Sequence, residues 1–588
     1  MGKMQRKTKP RQGKRKLRSG GKNVSAKLSR IIEQARSLQQ RGGAESAIEF
    51  LRVECQQGKA HPHLLSMLGA LEARAGFIDI GLERTKEAAR KAPRNGDILA
   101  NYGSVLFSAG YITDAIDFFR KSLKCQPLLQ KALYKLGDAL MAGERHEEAE
   151  VIIRGYIEQF PQDLDGLGLL VETLQRANKL SAAKEICGQL IDRDPSRISS
   201  HIKYADLLIS AGEIASAQRY FEQLIEAQPS IINEKMLLTQ ADLASVAEGP
   251  DAAINTLAEY LKTRPGARDV AKKRRDMLLS AGRFSEGWDA FSKEPGRLAK
   301  ISELPHRVWR GDQSDERTLL IRGAEGIGEQ LMYSQLFPMA RGKIKRLVVE
   351  CDERLVSIFS RSFPEIEFVR WTTPAEKCLL GTDIDLQCVP RDLGRFFLNS
   401  FDDFPGLPTN LKPSPEGISV AKDLRERYPG KRLVGISWRS IRTISNSGRK
   451  KSIPLTHWAD ILRTPGIQFI NLQYGTTDFD IESIKNNHGI EIFDAPGIDT
   501  TNDIDQCMGL VSGLDLVITV SNVTAHYAAN VGVPVWVLVD KSAHWHWFTE
   551  RCDSPWYPAA RLYRQEPSEN WFPVLDKTVQ DLSAWRQG

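Results

Sequence analysis

From Pro93 to Pro127 the chain reads PRNGDILANYGSVLFSAGYITDAIDFFRKSLKCQP, and the fold is decided by the fact that this stretch recurs. Pro93, Pro127, Pro161, Pro195 and Pro229 are each 34 residues from the next. Small residues keep the same interval at Ala47, Gly81, Ala115, Ala149, Ala183 and Ala217, and again at Ala35, Gly69, Gly103, Gly137 and Ala205, with Val171 the one bulky exception. Turn residues keep it at Gly42, Gly76, Gly110 and Gly212, with Glu144 and Asn178 in the units between. Small residues let two helices approach, glycine turns the chain between them and proline ends the second helix, so each period reads as an antiparallel helix pair.

Six consecutive units of this kind resemble the tetratricopeptide repeat family. Degenerate units follow around Ala253 to Pro265, and LLSAGRFSEGWDAF, Leu278 to Phe291, reads as a half-unit. The resemblance implies an α-solenoid, a superhelix with a long concave face suited to an extended peptide of a protein partner. Repeats that only dimerise the protein or space its parts are the competing reading.

A length of 588 residues leaves room for about three to five domains. The 41% hydrophobic and 26% charged content is that of a globular protein, neither a disordered chain nor a membrane bundle. No apolar run approaches the roughly 20 residues that span a bilayer, and the amino terminus lacks the apolar segment of a signal peptide, which makes the cytoplasm the expected compartment. Eight cysteines without a CxxC pair are expected to be reduced, buried thiols. The +7 charge has a local source: residues 1–30 hold twelve Lys or Arg, among them Lys14, Arg15, Lys16 and Arg18, and no acid, so the rest of the chain carries −5. The first 25 residues read as a basic disordered tail. Such a tail can meet nucleic acid or an anionic membrane through counterion release; with no aromatic residue and no apolar helical face, a solvated arm is the plainer reading.

After Pro305 the interval stops, and short runs rich in Val, Ile and Leu alternate with helical stretches, the pattern of two parallel α/β sheets. The first would use Thr318–Arg322, Arg346–Glu350 and Ile366–Val369; FPGLPTNLKPSPEG, Phe404 to Gly417, reads as a linker. The second would use Leu433–Ser437, Phe469–Gln473, Ile490–Phe493, Leu516–Val520 and Val533–Val539. Two doubly wound units bind ligands in the cleft between the carboxyl ends of their strands.

Gly323-Ala-Glu-Gly326-Ile-Gly328 follows a strand and opens a helix, offering backbone amides to a ligand. Glu350, 22 residues beyond Gly328, imitates a dinucleotide fingerprint, but the order is GxxGxG and a nicotinamide reading is disfavoured. The alternative makes Gly326 and Gly328 the lining of an interdomain cleft and sets Glu329 at the helix start. There a carboxylate is a favourable first-turn charge, or a base for an attacking hydroxyl. In the second sheet, Ser521-Asn522-Val523-Thr524-Ala525-His526 joins a strand to a helix and would aim amides and the Thr524 hydroxyl at a phosphate. Helix capping and a semi-buried His526 are the plainer reading. Ser437, Trp438 and Arg439 end one strand and Gln473 the next, facing the same crevice. Arg449, Lys450 and Lys451 offer cations that would stabilise a departing phosphate, or form a solvated basic loop.

In order, Gly287-Trp288, LLIRGAEGIGEQL, GISWRS, KKSIPL, FINLQ, LDLVITVSNVTAHYAANVGVPVWVL and DSPWYPAARLYRQ resemble bacterial tetratricopeptide proteins with a carboxyl-terminal GT-B glycosyltransferase module. That module is similar to heptosyltransferases and, more distantly, to protein O-GlcNAc transferases; its relatives include flagellin glycosyltransferases, in which the repeats are thought to bind flagellin and the module to transfer a nonulosonic sugar. The resemblance implies an α-solenoid followed by an α/β GT-B module of two Rossmann-like lobes. The expected division is a tail over 1–25, repeats over 26–265, a helical connector over 266–310, one lobe over 311–415 and a nucleotide-sugar-binding lobe over 416–588. It implies an inverting protein O-glycosyltransferase with a CMP- or UDP-linked donor, no metal and no other cofactor, and a Ser or Thr of a docked protein, flagellin the candidate, as acceptor. Glu329 matches the candidate base, where heptosyltransferases usually have Asp. Ser437, Arg439, Lys451, Gln473, Ser521, Asn522, Val523, Thr524 and His526 would face the donor; many relatives carry Asp where this chain has Ser521. Trp545, Trp547, Asp553, Trp556 and Tyr557 match a Trp-rich ending expected to pack the last segment. The competing hypothesis, motivated by Ser521 and Glu329, is a catalytically inactive repeat scaffold.

Overall fold

The computed structural model describes residues 20–56, 61–143, 145–227, 233–323, 325–372, 374–381, 383–404, 411–440, 451–475, 477–540, 544–565 and 571–587. The chain divides into two compact units, residues 1–169 and 170–588. Most of the basic tail, Glu144, Pro229, Arg449 and Lys450 lie outside the described residues.

The helices keep the 34-residue beat. In chain order they are α1 (Gly20–Gln56), α2 (Pro62–Arg74), α3 (Ile78–Lys91), α4 (Gly96–Ser108), α5 (Ile112–Cys125), α6 (Gln130–Ala142), α7 (His146–Gln159), α8 (Leu164–Arg176), α9 (Leu180–Arg193), α10 (Ile198–Ser210) and α11 (Ile214–Ala227). The second helix of each pair ends two residues before its proline, at Lys91, Cys125, Gln159, Arg193 and Ala227. The small residues sit where helices touch: a Cβ on Gly81 would lie 2.5 Å from the Gly69 carbonyl oxygen, and one on Gly103 would lie 3.0 Å from the Phe119 ring. Val171 is fully buried like the alanines of its series. Two expectations are corrected at the start. Residues 20–25 belong to α1 and not to a tail, and the break between the first two helical runs falls at Gly43 (φ 80°) and not at Gly42.

Gly76, Gly110 and Gly212 have φ of 98°, 89° and 75°, and Asn178 takes the same left-handed region at 57°. Only glycine enters that region freely; other residues pay for the crowding of Cβ, asparagine least. Asn178→Ala is therefore expected to destabilise the chain by about 1 kcal/mol and Asn178→Gly to cost little, read as the shift in a urea melt.

The helical series continues with α12 (Glu234–Glu248), α13 (Pro250–Thr263), α14 (Arg268–Ser280), α15 (Phe284–Ser292) and α16 (Pro295–Ser302). The first sheet holds β1 (Arg307–Val308), β2 (Ser314–Ile321), β3 (Ile344–Cys351), β4 (Glu367–Arg370) and β5 (Leu386–Cys388), all parallel in the order β1-β5-β2-β3-β4. Around them run α17 (Ile327–Tyr333), α18 (Phe337–Arg341), α19 (Glu353–Ser362) and α20 (Pro390–Phe397). The sheet thus starts inside the stretch expected to be a helical connector, because β1 pairs with β5. Next come α21 (Pro415–Arg427), β6 (Arg432–Ser437), α22 (Ala459–Leu462), β7 (Ile467–Asn471), α23 (Asp478–His488), α24 (Ile504–Ser512), β8 (Leu516–Val520), α25 (Val523–Asn530), β9 (Val535–Val539), β10 (Asp553–Ser554), β11 (Tyr557–Arg564) and α26 (Phe572–Gln587). The second sheet runs β10-β11-β9-β8-β6-β7, parallel except for β10 against β11. Ile490–Phe493, expected as a strand, makes only one bridge, Phe493 to Ile470. Part of the Trp-rich ending is instead strand β11, paired with β9.

The half-unit ending in Gly287-Trp288 is built into the core of the second unit. Trp288 donates its indole N–H to the Leu398 carbonyl at 2.7 Å and meets Trp545 edge-on. A Cβ on Gly394 would lie 2.6 Å from the Trp288 ring, so glycine there lets α20 close on α15. Phe284, Phe401, Phe404 and Phe548 continue the aromatic cluster to Trp556. Among the described residues no helix is long and apolar enough to cross a membrane. The eight cysteines are free, but only Cys187, Cys351, Cys388 and Cys507 are buried; Cys125, Cys378 and Cys552 are exposed.

Candidate functional site

The Gly-rich turn leaves β2 beside the end of β3. A Cβ on Gly323 would lie 2.0 Å from the Glu350 carbonyl oxygen, whereas one on Gly326 would enter open space. Glu350 is not a ribose ligand in waiting: its carboxylate is buried on Arg322 at 3.2 Å, and Arg322 also reaches Glu303 at 3.1 Å. Burial raises the Glu350 carboxyl above its usual range against the pull of Arg322. Gln330 ties the turn down, donating to the Glu325 carbonyl at 2.7 Å and accepting from the Asp352 N–H at 2.9 Å.

Glu329 stands in the first turn of α17, and Arg391 of α20 donates to it at 2.6 Å. Both side chains keep partial exposure, 30% for Glu329 and 23% for Arg391. The Arg391 guanidinium lies 5.6 Å from the centre of the Phe291 ring. The residue before Glu329 meets the other sheet: a Cβ on Gly328 would lie 2.8 Å from His526 Cδ2 and 3.0 Å from its Nε2. The helices that carry Glu329 and Thr524 therefore abut through Gly328 and His526.

On the second side the carboxyl ends of β6, β7 and β8 converge. The Gln473 amide oxygen accepts from Ser437 Oγ (3.1 Å) and from the N–H groups of Trp438 (2.9 Å) and Arg439 (2.8 Å). Asn522 donates to Ser437 Oγ at 2.8 Å and caps α25 by accepting from the Thr524 N–H at 2.9 Å. Arg439 pairs with Asp480 at 2.8 Å. These residues do come together, but most of their polar atoms hold the junction itself. Ser521 Oγ accepts from the Trp547 indole at 2.9 Å. Val523 opens α25 and is half-buried. Thr524 is fully buried and its hydroxyl has no hydrogen-bond partner among the described residues. Lys451 is buried, near enough to His546 to depress its basicity. Asp553 is exposed and pairs with Arg551; Trp545, Trp547, Trp556 and Tyr557 are buried packing.

His526 shares a 2.7 Å hydrogen bond with the Tyr557 hydroxyl and stacks on Trp547 at 5.8 Å. Burial, with His544 nearby, lowers its pKa to about 4 against the opposing pull of Glu329. His546, 5.4 Å away, is pushed well below its ordinary value by burial and by His526, His544, Lys451 and Arg391. The unfolded chain protonates both rings near 6.5 and the folded chain only at lower pH. The His526 contribution is thus complete above about pH 6.5 and is lost as pH falls toward 4, at about 1.4 kcal/mol per unit, and His546 acts in the same direction. Stability measured by denaturation from pH 7 to 4.5 is expected to fall along that slope, and His526→Asn to make it shallower.

Arg391 and His546 escaped the sequence reading. Arg391 sits in no motif; His546 is flanked by Trp545 and Trp547, an apolar setting that was the available signal.

Models of the tetratricopeptide repeat match residues 66–129, 131–163 and 198–231. The helical region is built of tetratricopeptide repeats. Protein FlbA of Caulobacter vibrioides is 29% identical over 353 residues, 56% of this chain, and the match spans 58% of FlbA. Among solved structures, a tetratricopeptide repeat protein from Parabacteroides merdae matches over 98% of its length and 42% of this chain, with 19% identity and a TM-score of 0.34. Pseudomonas aeruginosa pilF matches over 92% of its length and 35% of this chain, with 22% identity and a TM-score of 0.28.

Proposed function

We propose that the α/β region is a GT-B glycosyltransferase module that moves a sugar from a nucleotide donor to a Ser or Thr of a protein held by the repeats, with flagellin as candidate acceptor and a nonulosonic acid as candidate sugar. The observation that carries this reading is the meeting of α17 and α25, which sets the Glu329 carboxylate one residue from the His526 contact. The donor phosphate would rest on the amino end of α25, where the buried Thr524 hydroxyl has no hydrogen-bond partner among the described residues and helix amides favour an anion. Glu329 would take the proton of the acceptor hydroxyl as its oxygen bonds to the anomeric carbon; the bond from that carbon to phosphate breaks on the opposite face and the nucleotide leaves with the electron pair, inverting the centre. Neutral His526 and the aromatic wall of Trp547 and Tyr557 keep that corner dry. Docking the acceptor on the repeats raises its effective concentration at the cleft.

The inactive-scaffold reading rests on a specific observation as well: Glu329 is engaged by Arg391, and Ser521 by Trp547. One experiment separates the two. Thermal shift with CMP, UDP, GDP and ADP should reveal a stabilising nucleotide, and the matching sugar nucleotide should add one sugar mass to co-expressed flagellin. Nucleotide stabilisation with no donor turnover and no acceptor mass change would favour the scaffold.

A further inference from the structure

One turn along α20 from Arg391, a cavity of about 580 Å³ opens between α16, the segment after β1 and α20. Its walls are Arg297, Arg310 and Arg395 with Val308, Trp309, Gly311 and Phe396, and among the described residues no carboxylate lines it. The three guanidinium groups are not equivalent. Arg297 is spent on Asp392, which it grips at 2.7 and 3.1 Å. Arg395 shares Asp289 at 3.1 Å in a pair exposed on both sides. Arg310 is exposed and, among the described residues, makes no ion pair. Positive charge at the mouth is thus left uncompensated beside an apolar strip of Val308, 40% exposed, and half-buried Phe396.

The same mouth adjoins a sheet edge. β1 ends its sheet, and the Arg307 and Trp309 N–H groups donate inward to Asp385 and Gln387 carbonyls at 3.3 and 2.9 Å. Backbone groups of successive strand residues point to opposite sides, so Val308 turns its N–H and C=O away from the sheet. We propose that the edge of β1 and this cavity form a docking site for an extended acidic segment of a protein partner. The segment would add alongside Val308, set carboxylates on Arg310 and Arg395, and lay the alternate apolar side chains on Val308 and Phe396. The site stands apart from the transferase reading, since among the described residues none of these side chains bonds to Glu329 or to the α25 junction.

Fluorescence anisotropy on the full chain with labelled (Val-Glu)4 and (Val-Gln)4 peptides tests it. The Glu peptide should bind at least about tenfold tighter, and Arg310→Glu, at an exposed position that leaves the fold intact, should remove about tenfold of that affinity. Binding should weaken in about 0.5 M salt, and N-methylation of alternate peptide amides should abolish it. Equal affinity for the two peptides, an unchanged affinity in Arg310→Glu, or indifference to N-methylation would overturn the proposal. Free glutamate or inorganic phosphate binding as tightly as the peptide would also overturn it, in favour of a small-anion site.

Discussion

Glu329→Gln is expected to lower the rate constant for sugar transfer by roughly 10²- to 10⁴-fold, the range for removing a positioned general base, with little change in donor KM. The glutamine amide oxygen can still accept the Arg391 hydrogen bond that now measures 2.6 Å, so the side chain stays in place and only its capacity to take a proton is lost. A fall in kcat matched by an equal fall in kcat/KM marks an interaction made in the transition state alone. Initial rates from intact-protein mass spectrometry give both constants. A loss below about fivefold would move the base elsewhere, and a rise in donor KM at constant kcat would recast Glu329 as a binding group. Arg391→Met serves as the companion: Arg391 orients the carboxylate and takes no proton, so an intermediate loss, with most of it in kcat, is the expected result.

What could be read in advance depended on whether a feature is written locally. The repeat was legible because each helix pair makes its own turn and its own close contact, so Gly76, Gly110 and the small residues recur at fixed intervals. The apolar strands β2, β3, β6, β7, β8 and β9 were legible as runs of Val, Ile and Leu, whereas β11, whose outward positions carry Pro558, Ala559 and Arg561, was not. β1 and β5 were not, since two and three residues carry no periodicity of their own and exist through pairing with each other and with β2. Ile490–Phe493 has the composition of a strand, yet only Phe493 is bridged to β7. In the site, residues at strand ends were found because position in a doubly wound fold marks them, whereas Arg391 depends on where α20 lands, 62 residues from its partner. The roles expected of Ser437, Gln473 and Asn522 also omitted a cost: three converging strand ends leave polar groups facing one another, and these side chains satisfy them.

The support under Arg391 yields the largest expected loss of stability. Asp392 is fully buried, accepts two hydrogen bonds from Arg297 and a third from the Val389 N–H at 3.2 Å, and so fixes the start of α20. Arg297 in turn is only 8% exposed and among the described residues reaches no other carboxylate. Asp392→Ala leaves that largely buried guanidinium with the Ser292 carbonyl alone, and breaking a buried pair from one side costs about 3–5 kcal/mol. The urea midpoint of the variant should fall accordingly. The double variant Arg297→Met/Asp392→Leu should recover a large part of the loss, because an apolar pair of similar volume removes the uncompensated charge as well as the bond. A small effect of Asp392→Ala would mean that Arg297 swings out into the adjoining cavity to reach solvent. Transfer activity separates stability from positioning: the double variant should fold yet remain impaired in kcat, because α20 would start without the Val389 cap that Asp392 supplies and Arg391 would no longer be held to Glu329 with the same geometry.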